Sequence, residues 1–261
     1  MKPAPFRYER PKTVEEAVAL LADHGDEAKV LAGGQSLVPL LNMRMARPGV
    51  LVDINRVAIL DNMSHLDGAV RCGALVRQGS FAGASPLVDL CLPYIGHFAT
   101  RNRGTVGGSI AHADASGELP LALLVSGGSV VAASSRGRRT IAAEDFFVTH
   151  FTTALEPDEL LIESVWPDTG PAVAFAEVAQ RHGDYALCMA AATAGTGGVR
   201  VGVGSVVDRP TLLEIDLERP GASAAEQVEP ADGLHASAGY LRRLVAVLVD
   251  RVVARAREAA A

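Results

Sequence analysis

Cysteine is scarce in this 261-residue chain, and the three present, Cys72, Cys91 and Cys188, lie 19 and 97 residues apart. The absence of C-x-x-C or any similar close spacing excludes a disulfide framework and a zinc ribbon. An iron–sulfur cluster as a rule takes four cysteinates, more than this chain holds. Lysine is scarcer in proportion, with Lys2, Lys12 and Lys29 beside 21 arginines. Acidic residues outnumber basic ones, 30 to 24, and the net charge of −6 argues against a nucleic-acid surface. Long apolar runs are missing too. The longest uncharged stretch, Leu119 to Ser135, is broken by Pro120 and by Ser126 to Ser129, whereas a bilayer span needs roughly 20 apolar residues. Met1 to Arg7 contains no apolar run of the kind a secretory signal uses. A cytoplasmic chain without a membrane span is expected. What remains is 49% hydrophobic and 21% charged, enough for a sizeable packed core and unlike a disordered or collagenous chain.

The pattern divides into blocks. Thr13 and Glu16 have the spacing of a capping box at the head of a helix running to about Gly25. Lys29 to Ala32 reads as a short strand ending at Gly33-Gly34, Ser36 to Asn42 as a helix and Val50 to Ile54 as another strand. Asp67-Gly68 marks a hairpin between 63–66 and 69–72. Helices are expected near 78–83 and 86–96, and another capped by Ser116 and running through Leu124. Ser129 to Ser134 and Arg138 to Ile141 form a hairpin, and Glu159 to Trp166 a strand stopped by Pro167. The composition of 167–171 suggests a linker. Beyond it, 172–179, 186–194 and 199–207 read as strands, Glu218 to Gly233 as a loop, and the tail from Ser237 as an amphipathic helix.

No G-x-G-x-x-G stands at a strand–helix junction, and no lysine follows a glycine as a P-loop requires. No H-E-x-x-H or histidine pair at ligand spacing occurs, and no metal is expected. Two other glycine pairs carry more information: Val30-Leu31-Ala32-Gly33-Gly34-Gln35-Ser36-Leu37 and Arg101-Asn102-Arg103-Gly104-Thr105-Val106-Gly107-Gly108-Ser109. Each puts paired glycines at a strand end or helix start, where free backbone N–H groups suit phosphate oxygens. An ordinary tight turn is the competing reading for either alone. Arg101 and Arg103 are candidate counter-charges for a diphosphate, or surface and partner contacts.

These two segments, the continuation Ile110-Ala111-His112-Ala113-Asp114 and the triplet Asp184-Tyr185-Ala186 together resemble the FAD-binding medium subunit of molybdenum hydroxylases. The resemblance extends in order over nearly the whole chain to Asp232–Ser237. It implies an α+β architecture. Two subdomains (about 1–55 and 56–170) of the vanillyl-alcohol-oxidase/PCMH type would clasp FAD, followed at 171–261 by a small α/β carboxy-terminal domain with an antiparallel sheet. It also implies that Val30, Leu31, Ala32, Gly33, Gly34, Gln35, Ser36 and Leu37, with Thr105, Gly107, Gly108 and Ser109, bind the diphosphate and neighbouring groups. Glu118 would accept from sugar-chain hydroxyls, Ile95 and Leu161 would pack on the cofactor rings, Tyr185 would border the isoalloxazine and His112 would lie beside the second loop.

No acid, base or nucleophile is implied on this chain. The molybdenum cofactor would sit in a large subunit and two [2Fe–2S] clusters in a small one, in a dimer of heterotrimers. Relatives usually carry an additional helix-rich stretch where this chain has only 218–233. A stand-alone FAD-dependent oxidase or reductase of the same fold, and a non-catalytic flavin-binding assembly protein, are the alternatives.

Overall fold

The structure, a computed structural model, describes residues 2–261. Its first layer alternates strand and helix: β1 (Arg7–Glu9), α1 (Val14–His24), β2 (Ala28–Leu31), α2 (Leu37–Asn42) and β3 (Val50–Asp53). The strands are parallel in the order β1-β3-β2, so helical crossovers must join them. Central β3 is buried at every position. Helix α1 buries Val14, Ala17, Val18 and Leu21, one helical stripe, against this sheet. Thr13 caps it by accepting from the Glu16 N–H at 3.1 Å, but the Glu16 carboxylate reaches back to the Lys12 N–H at 2.6 Å instead of that of Thr13. The capping box is thus displaced by one residue on its return bond.

The second layer is an antiparallel sheet in the order β4-β5-β10-β6-β7. Strands β4 (Met63–Leu66) and β5 (Ala69–Gly73) meet at Asp67 and Gly68, both at positive φ (52° and 72°), as a type I′ hairpin demands. Four helices follow: α3 (Pro86–Cys91), α4 (Phe98–Arg103), α5 (Val106–His112) and α6 (Glu118–Val125). Strands β6 (Ser129–Ser134) and β7 (Gly137–Ala142), the short α7 (Ala143–Phe146), the ribbon β8 (Phe147–Thr149) and β9 (Thr152–Thr153), and β10 (Leu160–Pro167) complete the layer. Trp166 anchors it, edge-on to Phe81 at 5.2 Å, with its indole N–H donated to Ser164 Oγ at 2.9 Å.

Three sequence expectations change here. The helix expected at 78–83 is a single 3₁₀ turn, Gln78–Ser80. That expected at 86–96 stops as an α-helix at Cys91 and tightens into a 3₁₀ turn, because Pro93 has no N–H to continue the ladder. Ser116 does not cap α6: Gly117 holds that position, and the Ser116 N–H is taken by the Asp114 carboxylate at 2.9 Å in an Asx turn.

The third layer is an antiparallel meander of β11 (Val173–Ala179), β12 (Ala186–Gly195), β13 (Gly198–Gly204) and β14 (Thr211–Leu213), with α8 (Pro220–Glu226) and α9 (Ala238–Ala260). Strand β12 is buried on both faces. Cys188, Ala190, Ala192 and Ala194 share a core with α9, whereas Met189 and Ala191 join the core built around α6. Small side chains let both helices approach, and Gly202 of β13 does the same: a Cβ there would meet Val125 at 2.6 Å. Strand β13 stops at Gly204, short of the expected Val207, and β14 lies beyond the expected strands. The segment 218–233 is likewise not a plain loop. Pro220 opens α8, and the Gly221 N–H donates to Asp250 of α9 at 2.6 Å. So short a helix gains its stability from docking, which sequence periodicity does not reveal.

Leu248 is 1% exposed at the centre of the α9 core, while Val247 beside it is 52% exposed. Leu248→Ala is expected to cost about 2–5 kcal/mol in urea unfolding, and Val247→Ala less than about 0.5 kcal/mol.

Candidate functional site

The two glycine segments, some 70 positions apart in sequence, touch. A Cβ on Gly33 would lie 2.4 Å from the Arg103 carbonyl oxygen and 2.8 Å from the Gly104 Cα. One on Gly108 would lie 3.7 Å from the Ala32 Cβ. The seam arises because β2 runs parallel to β3 and delivers Gly33 at its carboxyl end, while α4 ends at Arg103 and Thr105 starts α5. Ligands of open α/β sheets occupy such carboxyl ends.

Most of these glycines are required by packing within the chain. Gly33 admits the other segment, Gly104 admits the Gln78 amide at 2.4 Å, and Gly107 admits Ala74 at 2.5 Å. Gly34, with φ +74°, turns the chain into α2. Gly33, Gly104 and Gly107 are therefore required by the chain's own packing before any ligand is considered. The result for a ligand is nevertheless direct. Among the described residues, no acceptor takes the N–H of Gly34, Gln35 or Ser36, or that of buried Gly107. These donors stand at the starts of α2 and α5, on both sides of the seam, and a buried N–H left without an acceptor is costly unless a ligand supplies one.

Side chains fix the seam. Thr105 Oγ1 accepts from the Gly108 N–H at 3.0 Å, and the Gln78 amide donates to Ser109 Oγ at 2.7 Å. The Gln78 N–H also donates to the Gly104 carbonyl at 2.9 Å. Gln35 is exposed and its amide contacts the Gly33 carbonyl at 3.3 Å. Asn55 and Arg77, which sequence reasoning passed over, bond the two segments from below. The Asn55 amide donates to the Ala32 carbonyl (2.8 Å) and accepts from Arg77 (2.9 Å), which donates in turn to the Arg103 carbonyl (2.8 Å). Asn55 stands two residues beyond the buried strand β3, but no local pattern marks either residue.

A carboxyl cluster lies nearby. Glu118, at the first turn of α6, is 8% exposed, and its pKa is pushed up to about 8 by burial and by the neighbouring Glu177 and Asp114 carboxylates, against the help of its own backbone N–H. Glu177 projects from β11 on the face shared with Val173 and Phe175. Burial pushes it up to about 7, and its Oε2 has no partner. Sequence reasoning missed Glu177, although a charged residue at an inward position of an apolar strand was a usable signal. Tyr185 is 70% exposed. Its pKa is raised by partial burial and by the Asp114 and Glu118 carboxylates.

His112 ends α5 with its ring 4.8 Å from that of Phe151, and burial lowers its pKa against the opposing pull of Asp114. Val30 and Leu31 are half-buried in β2, and Leu37 begins α2. Ile95 and Leu161 are core residues, 9% and 4% exposed. Arg101 is engaged locally, donating to the carbonyls of Ile95 (2.9 Å) and Gly96 (3.1 Å).

Residues 4–168 match the family described as the FAD binding domain in molybdopterin dehydrogenase. The chain is 38% identical to the 6-hydroxypseudooxynicotine dehydrogenase complex subunit alpha of Paenarthrobacter nicotinovorans, over 98% of this chain and 96% of that one. It is 31% identical to the carbon monoxide dehydrogenase medium chain of Hydrogenophaga pseudoflava, over 97% of each. Among solved structures it is similar to quinoline 2-oxidoreductase from Pseudomonas putida 86, with a TM-score of 0.90 and 35% identity over 99% of both chains. Carbon monoxide dehydrogenase from H. pseudoflava gives a TM-score of 0.93 at 29% identity over 100% of both. The free amides at the glycine seam, the three-layer α+β fold and these similarities agree: the chain belongs to the FAD-binding medium subunits of the molybdopterin dehydrogenases.

Proposed function

We propose that the chain holds FAD across the glycine seam, as the electron outlet of a three-subunit complex assembled as a dimer of heterotrimers. The observation that carries this reading is the set of acceptor-free N–H groups of Gly34, Gln35, Ser36 and Gly107 on either side of one seam. A diphosphate presents oxygens to both sides, and the partial positive charge at the starts of α2 and α5 favours it. When bound, FAD would supply the redox chemistry that links [2Fe–2S] clusters of a small subunit to an external acceptor, with hydroxylation at molybdenum in a large subunit.

The chain's own residues bind and orient. Val30 to Leu37 and Thr105 to Ser109 hold the diphosphate and adjoining groups, and Glu118 accepts from sugar-chain hydroxyls. Tyr185 borders the ring system, with Ile95 and Leu161 behind it, and His112 flanks the second loop. The three thiols are buried singly and burial raises each, Cys72 and Cys188 to about 12 and Cys91 well above its usual value, so none offers a ready thiolate. That supports placing the clusters on another chain. We assign residues 1–170 to FAD binding and 171–261 to the carboxy-terminal domain, and the whole complex to the cytoplasm.

Co-expression with its genomic neighbours is expected to yield one flavin per chain with iron and molybdenum in the same complex, and pyridine- or quinoline-type compounds are the first substrates to test. Gly34→Val or Gly108→Val is expected to remove the flavin while circular dichroism stays native. Retention of stoichiometric flavin by both variants would overturn the loop assignment.

Glu118 also makes apo-chain stability depend on pH. In the folded chain it holds its proton to about pH 8, against 4.5 for an ordinary glutamate, so its contribution is present below pH 4.5 and is lost as pH rises through 8. Glu118→Gln, neutral throughout, is expected to match the parent near pH 4.5 and exceed it by about 3 to 5 kcal/mol at pH 9 in denaturant unfolding. A pH-independent difference would remove the charge explanation.

A further inference from the structure

The seam is bolted by side chains that hydrogen-bond the carbonyls of both segments. Asp53, the last residue of β3, is 8% exposed. Burial pushes its pKa up, but hydrogen bonds from Tyr8 and Asn55 more than offset this and leave it below the ordinary value. An ionised carboxylate only accepts, which fixes the Asn55 amide: its NH2 must face Asp53 Oδ1, at 2.7 Å, and the Asn55 backbone N–H meets the same oxygen at 2.9 Å. The second proton of that NH2 goes to the Ala32 carbonyl, and Asn55 Oδ1 is left to accept from Arg77. The other arm of the Arg77 guanidinium donates to the Arg103 carbonyl, the atom against which Gly33 packs. Arg77 has no ion-pair partner among the described residues, so both arms are committed to neutral acceptors.

The chain of bonds therefore runs from Ala32, immediately before Gly33, to Arg103, immediately before Gly104. It ties together, beside the direct backbone contact at Gly33, the two segments that carry the free amides. A ligand that engages one group does not sense their spacing, and a ligand that bridges both does. This is a preorganised two-point site, in which loosening the spacing penalises only the bridging ligand.

We propose that Asn55 and Arg77 are positioning residues that hold the two loops at one spacing and thereby give the chain its preference for a diphosphate flavin over a monophosphate flavin. The proposal rests on the reading that the FAD diphosphate spans the seam. The fixed geometry of the guanidinium is essential to it, because a lysine carries the same charge but not the rigid two-armed fork that joins two carbonyl acceptors.

The test uses the full chain within its complex, stripped of flavin, with FAD and FMN binding followed by flavin fluorescence quenching for the parent, Arg77→Met, Arg77→Lys and Asn55→Leu. The parent is expected to bind FAD more tightly than FMN. Arg77→Met and Asn55→Leu are expected to weaken FAD about tenfold or more while changing FMN less than about twofold, and Arg77→Lys to remain impaired for FAD. An unchanged FAD-to-FMN ratio overturns the bolt, whether both affinities hold or both fall together. Full recovery by Arg77→Lys also overturns it, by assigning the effect to charge. If Arg77→Met or Asn55→Leu does not fold, Arg77→Lys decides alone, since it keeps the charge and the aliphatic stem. A parent that binds FMN as tightly as FAD would instead overturn the diphosphate reading itself.

Discussion

The contact between Gly33 and the backbone of Arg103 to Thr105 is the constraint around which the amino-terminal two layers are arranged. It joins the end of a parallel strand to the start of α5, which packs on the antiparallel sheet, and no side chain fits between them. Once the two backbones meet, hydrogen-bonding acceptors are in short supply on the open side of the seam. The carbonyls of Ala32 and Arg103 are taken by Asn55 and Arg77, and the N–H groups of Gly34, Gln35, Ser36 and Gly107 are left without an acceptor among the described residues. In the proposed reading, anion affinity is thus a by-product of how the chain packs with itself. The glycines need not be explained by the ligand, because removing any ligand leaves Gly33, Gly104 and Gly107 just as sterically required.

This difference explains what the sequence could reveal. Paired glycines at a strand end and at a helix start were visible, and so were β2 and β3, the Asp67-Gly68 hairpin and the long α9, since each follows from local periodicity or turn chemistry, whereas the three-residue β1 carries no such pattern. The reason for the glycines was not visible, because the atoms that exclude a Cβ at Gly33 come from a segment about 70 residues later. Asn55 and Arg77 were hidden for the same reason: neither belongs to a local pattern, and their meaning lies in which two carbonyls they join. Helix α8 was overlooked because its support is Asp250 of α9, and Ser116 was given the capping role because a hydroxyl just before a helix is a frequent cap, whereas Asp114 had already turned the chain.

The third layer belongs to the site through α6. Strand β12 is alanine-rich because it lies between α6 and α9, and Gly202 lets α6 settle on β13. The end of β13 then braces the turn before α6, with the Ser205 N–H donated to the Ala115 carbonyl at 2.8 Å. Glu118 starts that helix, and Glu177 arrives from β11 on the facing side. The two carboxyls therefore come from different layers, and Glu177 adds to the burial that raises Glu118, while Glu177 is itself raised by burial.

A buried carboxyl that stays protonated near neutrality is a poor structural element, since an alanine or leucine at the same place would avoid the desolvation cost. Its persistence in an otherwise apolar helix makes sense if a ligand brings hydroxyl donors to it, because ionisation then becomes favourable only when the site is filled. Glu118 and the seam amides share this logic. Both are polar groups for which the fold supplies few partners, and in the proposed reading a cofactor that carries sugar hydroxyls next to a diphosphate would satisfy both at once. The stability deficit of the empty chain is in this sense part of the binding free energy of the filled one.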